Sequence, residues 1–383
     1  MRITHVITRL IVGGAQESTV LTCRGLARRG HDVTLITGPQ AGPEGSLLDA
    51  ARATGARILV HPHMVRQVSP LHDALELALL VEWFAHDRPQ IVHTHSSKAG
   101  ILGRAAARLA GVPVVVHTNH GLPFHESQPP PVRLAYRSLE RVASRWADRI
   151  VCVGRQMVDT SIAEGLGSAR LFTVVRSGME VERFLDGDAE ASRLRRDLNL
   201  PEGAPVVGTV ARLSPQKGPR YFLDAMSQLA VRVADLWFLW VGDGPMRAGL
   251  EREARDRRLR VRFTGLVPPE RVPAHLGAMD VVLMSSLWEG LPRVAVQAGL
   301  CGRPVVAFDA PGVREVVADG VSGRVVPRAD VAAMVEAAEE ILRRPDRGRA
   351  MGQEARRRLA SEFRWEKMVT DLEQIYEELM AAP

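Results

Sequence analysis

DVVLMSSLWEGLPRVAVQAGLCGRPVVAF, residues 280–308, reads as one strand, helix, strand unit. The apolar run 280–284 suits a strand buried on both faces, a helical pattern starts near Leu291, and 304–308 is a second β-rich run. Parallel strands need a crossover of this kind. The alternation extends outward through 205–210, 236–241, 261–264 and 323–326, and through 2–7, 32–36, 57–60, 90–93, 113–117, 149–153 and 171–175 in the first half. Helical patterns fill the intervals, so the expected fold is α/β, with two doubly wound, Rossmann-like domains. A length of 383 residues suits two cores. Residues 178–205 lack strand periodicity, are charged and carry Gly187, Pro201 and Gly203, which marks a linker. The expected domains are therefore 1–177 and 178–362. A last helical pattern at 363–383 lines Trp365, Met368, Leu372, Ile375, Tyr376 and Leu379 along one side and is long enough to return to the first domain.

Composition is that of an ordinary globular protein, with 46% hydrophobic and 25% charged residues. Cys23, Cys152 and Cys301 are odd in number and form no CxxC pattern, which argues against a disulfide framework and a zinc site and for a reducing cytoplasm. Residues 1–7 go straight into a β-branched run without the apolar stretch of a secretory signal, and no apolar run approaches the ~20 residues that span a bilayer. Contact with a membrane is expected only from its surface. The net charge of +6 suits nucleic acid, an anionic membrane or a phosphorylated substrate. Nucleic acid is disfavoured, because the basic residues are scattered and aromatics make up only 5%.

In open parallel sheets, ligands sit beyond the carboxyl ends of the strands. After the first strand, Gly13-Gly14-Ala15-Gln16 opens a helix whose amides suit an anion. The dinucleotide fingerprint GxGxxG is absent there, and Gly242-Asp243-Gly244 is followed by Arg247 where a third glycine would stand, so a nicotinamide enzyme is disfavoured. VARLSPQKG, 210–218, places Arg212 at a strand end and Lys217 before the next helix, two cations able to pinch a diphosphate. Within SSLWEGLPRVAVQ, 285–297, Glu289 can accept hydrogen bonds from sugar hydroxyls, while the helix start beyond it, near Leu291, offers amides to phosphate. Gln297, eight residues on, is expected about two turns along that helix and on the side of Glu289.

In the first half, His93-Thr94-His95 and His117-Thr118-Asn119-His120-Gly121 are each expected to follow a strand, clustering four histidines at one sheet edge. A metal is not expected, because no carboxylate or cysteine stands at ligand spacing and alternate strand positions are read as facing apart. His120, beside Gly121, is the better candidate to touch substrate, and Ser96, Ser97 and Lys98 begin a helix that suits an anionic acceptor group. Arg133, Arg137, Arg141, Arg145 and Arg149 form a broad basic face opposite Val132, Tyr136, Leu139, Val142 and Trp146. Such a face suits solvent or anionic lipid.

Taken together, the Gly13-Gly14 loop, the run ending His120-Gly121, VARLSPQKG, the VGDGP turn at 241–245 and the stretch from SSLWEGLP to GVREVV resemble retaining glycosyltransferase family 4. That is the large family of bacterial cell-envelope, capsule and exopolysaccharide transferases and sucrose synthases, with the two-domain glycosyltransferase-B fold. The resemblance spans essentially the whole chain. It implies two Rossmann-like domains facing across a cleft and transfer of a hexose or N-acetylhexosamine from a nucleotide-sugar, UDP-linked before GDP-mannose, to a glycan, lipid-linked or small-molecule hydroxyl. It further implies retention by front-face departure and attack, with no obligatory metal or cofactor. Glu289, His120, Arg212 and Lys217 would carry catalysis, with Arg212 and Lys217 on the donor diphosphate and Glu289 on the donor sugar. The helix start from Gly290 through Leu291, Pro292 and Arg293 to Val294 would support the phosphates, with Gly14 lining the cleft. Gly13, Gln16, His95, Lys98, His120 and Gly121 would face the acceptor. One position departs: the family's second glutamate, assigned to the nucleotide ribose, is Gln297 here, and weaker donor binding is expected. A nucleotide-sugar binder with little turnover and a sugar-nucleotide epimerase are the alternatives.

Overall fold

The computed structural model describes residues 1–40, 44–126, 128–187 and 190–382. It divides into two compact units, Met1–Met179 with Phe363–Pro383, and Glu180–Glu362. Residues 188 and 189 of the expected linker, and residue 383 of the expected last helix, lie outside the described residues.

The first unit is built on seven strands, β1 (Arg2–Ile7), β2 (Asp32–Thr37), β3 (Arg57–Val60), β4 (Ile91–His95), β5 (Val114–Asn119), β6 (Arg149–Cys152) and β7 (Phe172–Val174), in the order β3-β2-β1-β4-β5-β6-β7. The second has β8 (Val206–Val210), β9 (Trp237–Val241), β10 (Val261–Gly265), β11 (Val281–Met284), β12 (Val305–Phe308) and β13 (Gly323–Val326), in the order β10-β9-β8-β11-β12-β13. Every pairing between these strands is parallel. All thirteen expected strands form. Strands β4 and β5 each run two residues further than their apolar pattern, because His95 pairs in register with Thr118. His95 is therefore a strand residue rather than a loop residue.

Strand order reverses beside β1 in the first sheet and beside β8 in the second. Crossover helices leave these points toward opposite faces, and the gap at the carboxyl ends is where such sheets bind ligands. The loops that meet there are those after β1 and β4 in one unit, and those after β8 and β11 in the other.

Alternation within β1 sends Ile3, His5 and Ile7 to one face and Val6 to the other. Ile3 and Ile7 pack with Ile91, Val116, Cys23 and Leu26, beneath the helices Gly14–Arg28 and Trp365–Ala381. Val6 packs with Val92, Leu80 and Phe84 under the helix Pro70–Asp87. The last helix seats Met368, Val369, Leu372, Ile375 and Tyr376 in the first unit's core. It approaches the helix Gly14–Arg28 closely at Gly25, where a Cβ would lie 2.5 Å from Val369.

Two expectations change here. Residues 178–205 are not a loose linker: the helices Glu182–Leu185 and Ala191–Asp197 bury Phe184 and Leu194, and Arg195 bonds to the carbonyl of Ala278 and to Asp280 of the second unit. Helix Pro130–Ser144 turns Glu140, Ala143 and Ser144 inward and leaves Val132, Leu134, Leu139 and Val142 exposed. Its inward face is set by the buried Glu140–Arg104 ion pair at 2.9 Å, which outranks the apolar periodicity. Arg133 and Arg137 fold onto Glu164, and Arg141 onto the carbonyls of Glu164 and Gly165.

Candidate active site

In the second unit, the loop after β8 is held in place by backbone bonds from Leu213 N–H to the Asp243 carbonyl and from Met246 N–H to the Leu213 carbonyl. Gly242 makes this approach possible: its φ is +127°, and a Cβ there would lie 2.1 Å from the Ala211 carbonyl. The loop after β11 closes on the same segment. Leu287 N–H donates to the Gln216 carbonyl at 2.9 Å, the Gln216 side chain donates to the Trp288 carbonyl at 3.0 Å, and the Ser285 hydroxyl donates to the Lys217 carbonyl at 2.9 Å. These bonds deliver Lys217 Nζ to within 2.6 Å of Glu289 Oε1. The ammonium has two further N–H donors and the carboxylate a second oxygen. Arg212 stands exposed five residues before Lys217. The site thus offers adjoining cationic and anionic groups, suited to a phosphate beside a polyhydroxylated ring.

The helix after Glu289 is Arg293–Leu300, with Pro292 before it and no side-chain cap. It starts two residues later than expected. Arg293 N–H donates to the Leu291 carbonyl and Ala295 N–H to the Pro292 carbonyl, so part of the expected amide cluster is already used. Glu289 lies outside the helix, and helical phase does not relate it to Gln297. Pro292 and the Gly290–Gly312 approach, 2.6 Å from a Cβ on Gly312 to the Gly290 carbonyl, set that turn.

In the first unit, the polar cluster is larger than its sequence suggests. His5 of β1 lies beside His93 and His95 of β4, with ring centroids 5.0 and 5.3 Å away, and His95 stacks near His120 at 5.5 Å. His5 Nδ1 meets His95 Nε2 at 3.0 Å, and His95 Nδ1 meets His120 Nε2 at 3.2 Å. His93 bonds Tyr376 through Nδ1 and Thr118 through Nε2. Burial pushes the His5 imidazole down to about 3 and, with neighbouring histidines adding, holds His93 and His95 well below the usual histidine range. These rings are neutral. The reading of alternate positions as facing apart was mistaken for His93 and His95, which are two residues apart and share a face with His5. Nitrogens of His5, His93 and His95 lie within 4.8 Å of one another, close enough to hold a metal ion. Among them, only His5 Nε2 has no hydrogen-bond partner, so holding an ion would break bonds already made. His117 faces the other side, bonded to Thr94 and Asn119 and packed on Gly100.

Two family descriptions match the chain: Glycosyl transferase 4-like domain over residues 13–176, and Glycosyl transferases group 1 over residues 190–358. The chain is 31% identical to the UDP-Gal:alpha-D-GlcNAc-diphosphoundecaprenol alpha-1,3-galactosyltransferase of Escherichia coli, covering 88% of this chain and 87% of that one. The chain belongs to the family 4 glycosyltransferases. The transferase is also 32% identical to a GDP-mannose-dependent alpha-(1-6)-phosphatidylinositol monomannoside mannosyltransferase of Mycolicibacterium smegmatis, over 88% of each chain. Its fold matches that of Anabaena HepE, crystallised with UDP and glucose, with a TM-score of 0.84 over 99% of this chain and 100% of that one at 21% identity. It is a two-domain enzyme of the glycosyltransferase-B type that uses a nucleotide-sugar.

The transferase's remaining candidate residues are placed unevenly. Gly14 opens the helix Gly14–Arg28, and Gly13, in extended backbone, leaves room for the Gln16 side chain, whose Oε1 would lie 2.7 Å from a Cβ. Gly121 is exposed after β5. Lys98 turns away to Asp73, at 2.5 Å, and to the Gln67 carbonyl. His95 has both nitrogens bonded to histidines. Leu291 and Pro292 are buried beneath the turn, and Arg293 and Gln297 are half-buried. His5 and Tyr376 join this polar cluster unannounced. The alternation Ile3, His5, Ile7 was the available signal for His5, since it set a histidine on a buried face.

Proposed function

We propose that this transferase moves a hexosyl or N-acetylhexosaminyl group, with retention of configuration, from a UDP-sugar to a hydroxyl of a lipid-diphosphate-linked or other glycan acceptor at the cytoplasmic face of a membrane. GDP-mannose is the second donor. The observation that carries the reading is the Lys217–Glu289 pair, pinned by the loops after β8 and β11, with the exposed Arg212 five residues before Lys217. In this reading Arg212 and Lys217 neutralise the charge that grows on the departing diphosphate. Glu289 holds Lys217 with one oxygen and a sugar hydroxyl with the other. Gly290 to Arg293 support the phosphates and Gln297 the ribose, without its carboxylate charge. The anomeric carbon to phosphate oxygen bond breaks, the acceptor oxygen attacks from the same face, and its proton passes to the departing phosphate oxygen. Gly13, Gly14, Gln16 and Gly121 belong to the acceptor-side unit, and His120 hydrogen-bonds the reacting sugars. No step requires a metal or cofactor. The names of the Escherichia coli and Mycolicibacterium smegmatis relatives, both with lipid-linked acceptors, support the acceptor class.

Membrane contact is proposed through the helix Pro130–Ser144, whose exposed Val132, Leu134, Leu139 and Val142 lie among arginines. No helix among the described residues is long and apolar enough to cross a membrane. The donor is tested by thermal shift with UDP-, GDP- and dTDP-sugars. A bound donor at a hundred times its Kd stabilises by about 2.7 kcal/mol, and Glu289→Gln is expected to remove turnover while leaving nucleotide binding. Absence of any nucleotide-dependent shift, or an inverted anomeric product by NMR, rules the reading out. Flotation with phosphatidylglycerol vesicles tests the helix, and Leu139→Ser with Val142→Ser is expected to abolish it.

A further inference from the structure

His120 ends a line of three imidazoles that begins at a buried nitrogen with no partner. His5 is fully buried, and His5 Nε2 has no hydrogen-bond partner. Its other nitrogen meets His95 at 3.0 Å, and the far nitrogen of His95 meets His120 Nε2 at 3.2 Å. A neutral imidazole carries one N–H, so His95 donates to one neighbour and accepts from the other. The line therefore runs one way. If it ran from His120 toward His5, the last proton would sit on His5 Nε2 as a buried donor without an acceptor. If it runs from His5 toward His120, only a lone pair is left there. Orphaned buried N–H groups are rarer than under-used acceptors, which selects the second direction.

We infer that His5 and His95 are positioning residues that hold His120 as its Nδ1–H tautomer, making it a hydrogen-bond donor toward the sugars rather than a general base. Protonating His120 at Nε2 would reverse every bond in the line and leave an orphaned N–H at His5. The backbone around the line is held for the purpose. Ser96, directly after His95, has φ 60° and ψ 162°, a region almost reserved for glycine, and its hydroxyl bonds that of Thr8 at 2.8 Å. Strain of this kind gathers at functional sites. His93, pinned by Tyr376 and Thr118, closes the side of the stack, and His95 and His120 border a small cavity shared with Ser18, Thr118 and Ser177. The inference rests on the proposed function in one respect, that His120 touches the reacting sugars.

The test is long-range imidazole proton–nitrogen correlation NMR on the whole chain labelled at histidine, with His5→Phe and His120→Gln for assignment. The expected wild-type spectrum shows Nδ1 protonated and Nε2 bare on His5, His95 and His120. An Nε2–H or charged His120 overturns the inference. In His5→Asp, whose carboxylate can only accept, His95 and His120 are expected to switch to Nε2–H, with kcat for UDP release from a UDP-sugar falling on the order of tenfold and KM unchanged. His5→Asn, whose amide N–H stands near the lost Nδ1–H, is expected to restore both the tautomer and most of kcat. Tautomers that do not move in His5→Asp overturn the inference. If the tautomers behave as expected but His120→Gln keeps full kcat, His120 does not touch the sugars. The proposed role then fails, while the direction of the line stands.

Discussion

Gly218 illustrates how single positions govern this site. Its φ is +56°, and a Cβ there would lie 2.2 Å from the Ser285 carbonyl, so no other residue fits between the loops after β8 and β11. Gly218→Ala is expected to cost on the order of 2 kcal/mol of stability, read as a lower urea midpoint, and to weaken UDP binding because the segment carrying Lys217 moves. Gln297→Glu is expected to tighten UDP binding about fivefold, since a carboxylate accepts ribose hydroxyls more strongly by on the order of 1 kcal/mol. Calorimetry showing unchanged affinity would remove Gln297 from the ribose contact. Arg212, Lys217 and Glu289 were legible as residue types in suggestive loops. The bond between Lys217 and Glu289 was not, because it spans 72 positions and depends on how two loops interlock.

At the scale of elements, periodicity located the strands, whose burial on both faces makes them continuous apolar runs. It misjudged the orientation of the helix Pro130–Ser144. Apolar residues normally mark the inward face, but here a buried ion pair takes that place: Arg104 is fully buried, and burial lowers its pKa against the raising effect of Glu140. Glu140→Ala is expected to destabilise the chain by about 3–5 kcal/mol, because it leaves a buried charge without its partner. Arg104→Met combined with Glu140→Leu is expected to recover most of that loss, as measured by chemical denaturation. The last helix depends on a polar bond in the same way. Tyr376→Phe leaves His93 Nδ1 unsatisfied and is expected to cost about 1–3 kcal/mol.

At the scale of the molecule, the two units differ in their response to acid. His5, His93, His95 and His117 are buried and neutral in the first unit, all with pKa values lowered chiefly by burial. When the chain unfolds, each returns to about 6.5 and takes up a proton below that pH. Their stabilisation is therefore complete above pH 6.5 and is lost as pH falls toward the folded values, down to about 3 for His5. Each adds to the fall of stability below pH 6.5, with a slope that approaches about 1.4 kcal/mol per pH unit well below that value. Hydrogen exchange at pH 7 and pH 5.5 is expected to show the first unit's strands losing protection well before those of the second, where His275 alone is similarly lowered. Equal loss in both units would contradict this account. The sequence by itself determined the two parallel α/β units, the last helix and the candidate loops at the strand ends, because strand periodicity and glycine-bearing turns are local signals. Only the tertiary structure decided which loops meet at each reversal of strand order, that Lys217 binds Glu289, and that His5 backs His95 and His120. Those contacts join positions far apart in the chain, and their energies depend on burial that no local pattern records.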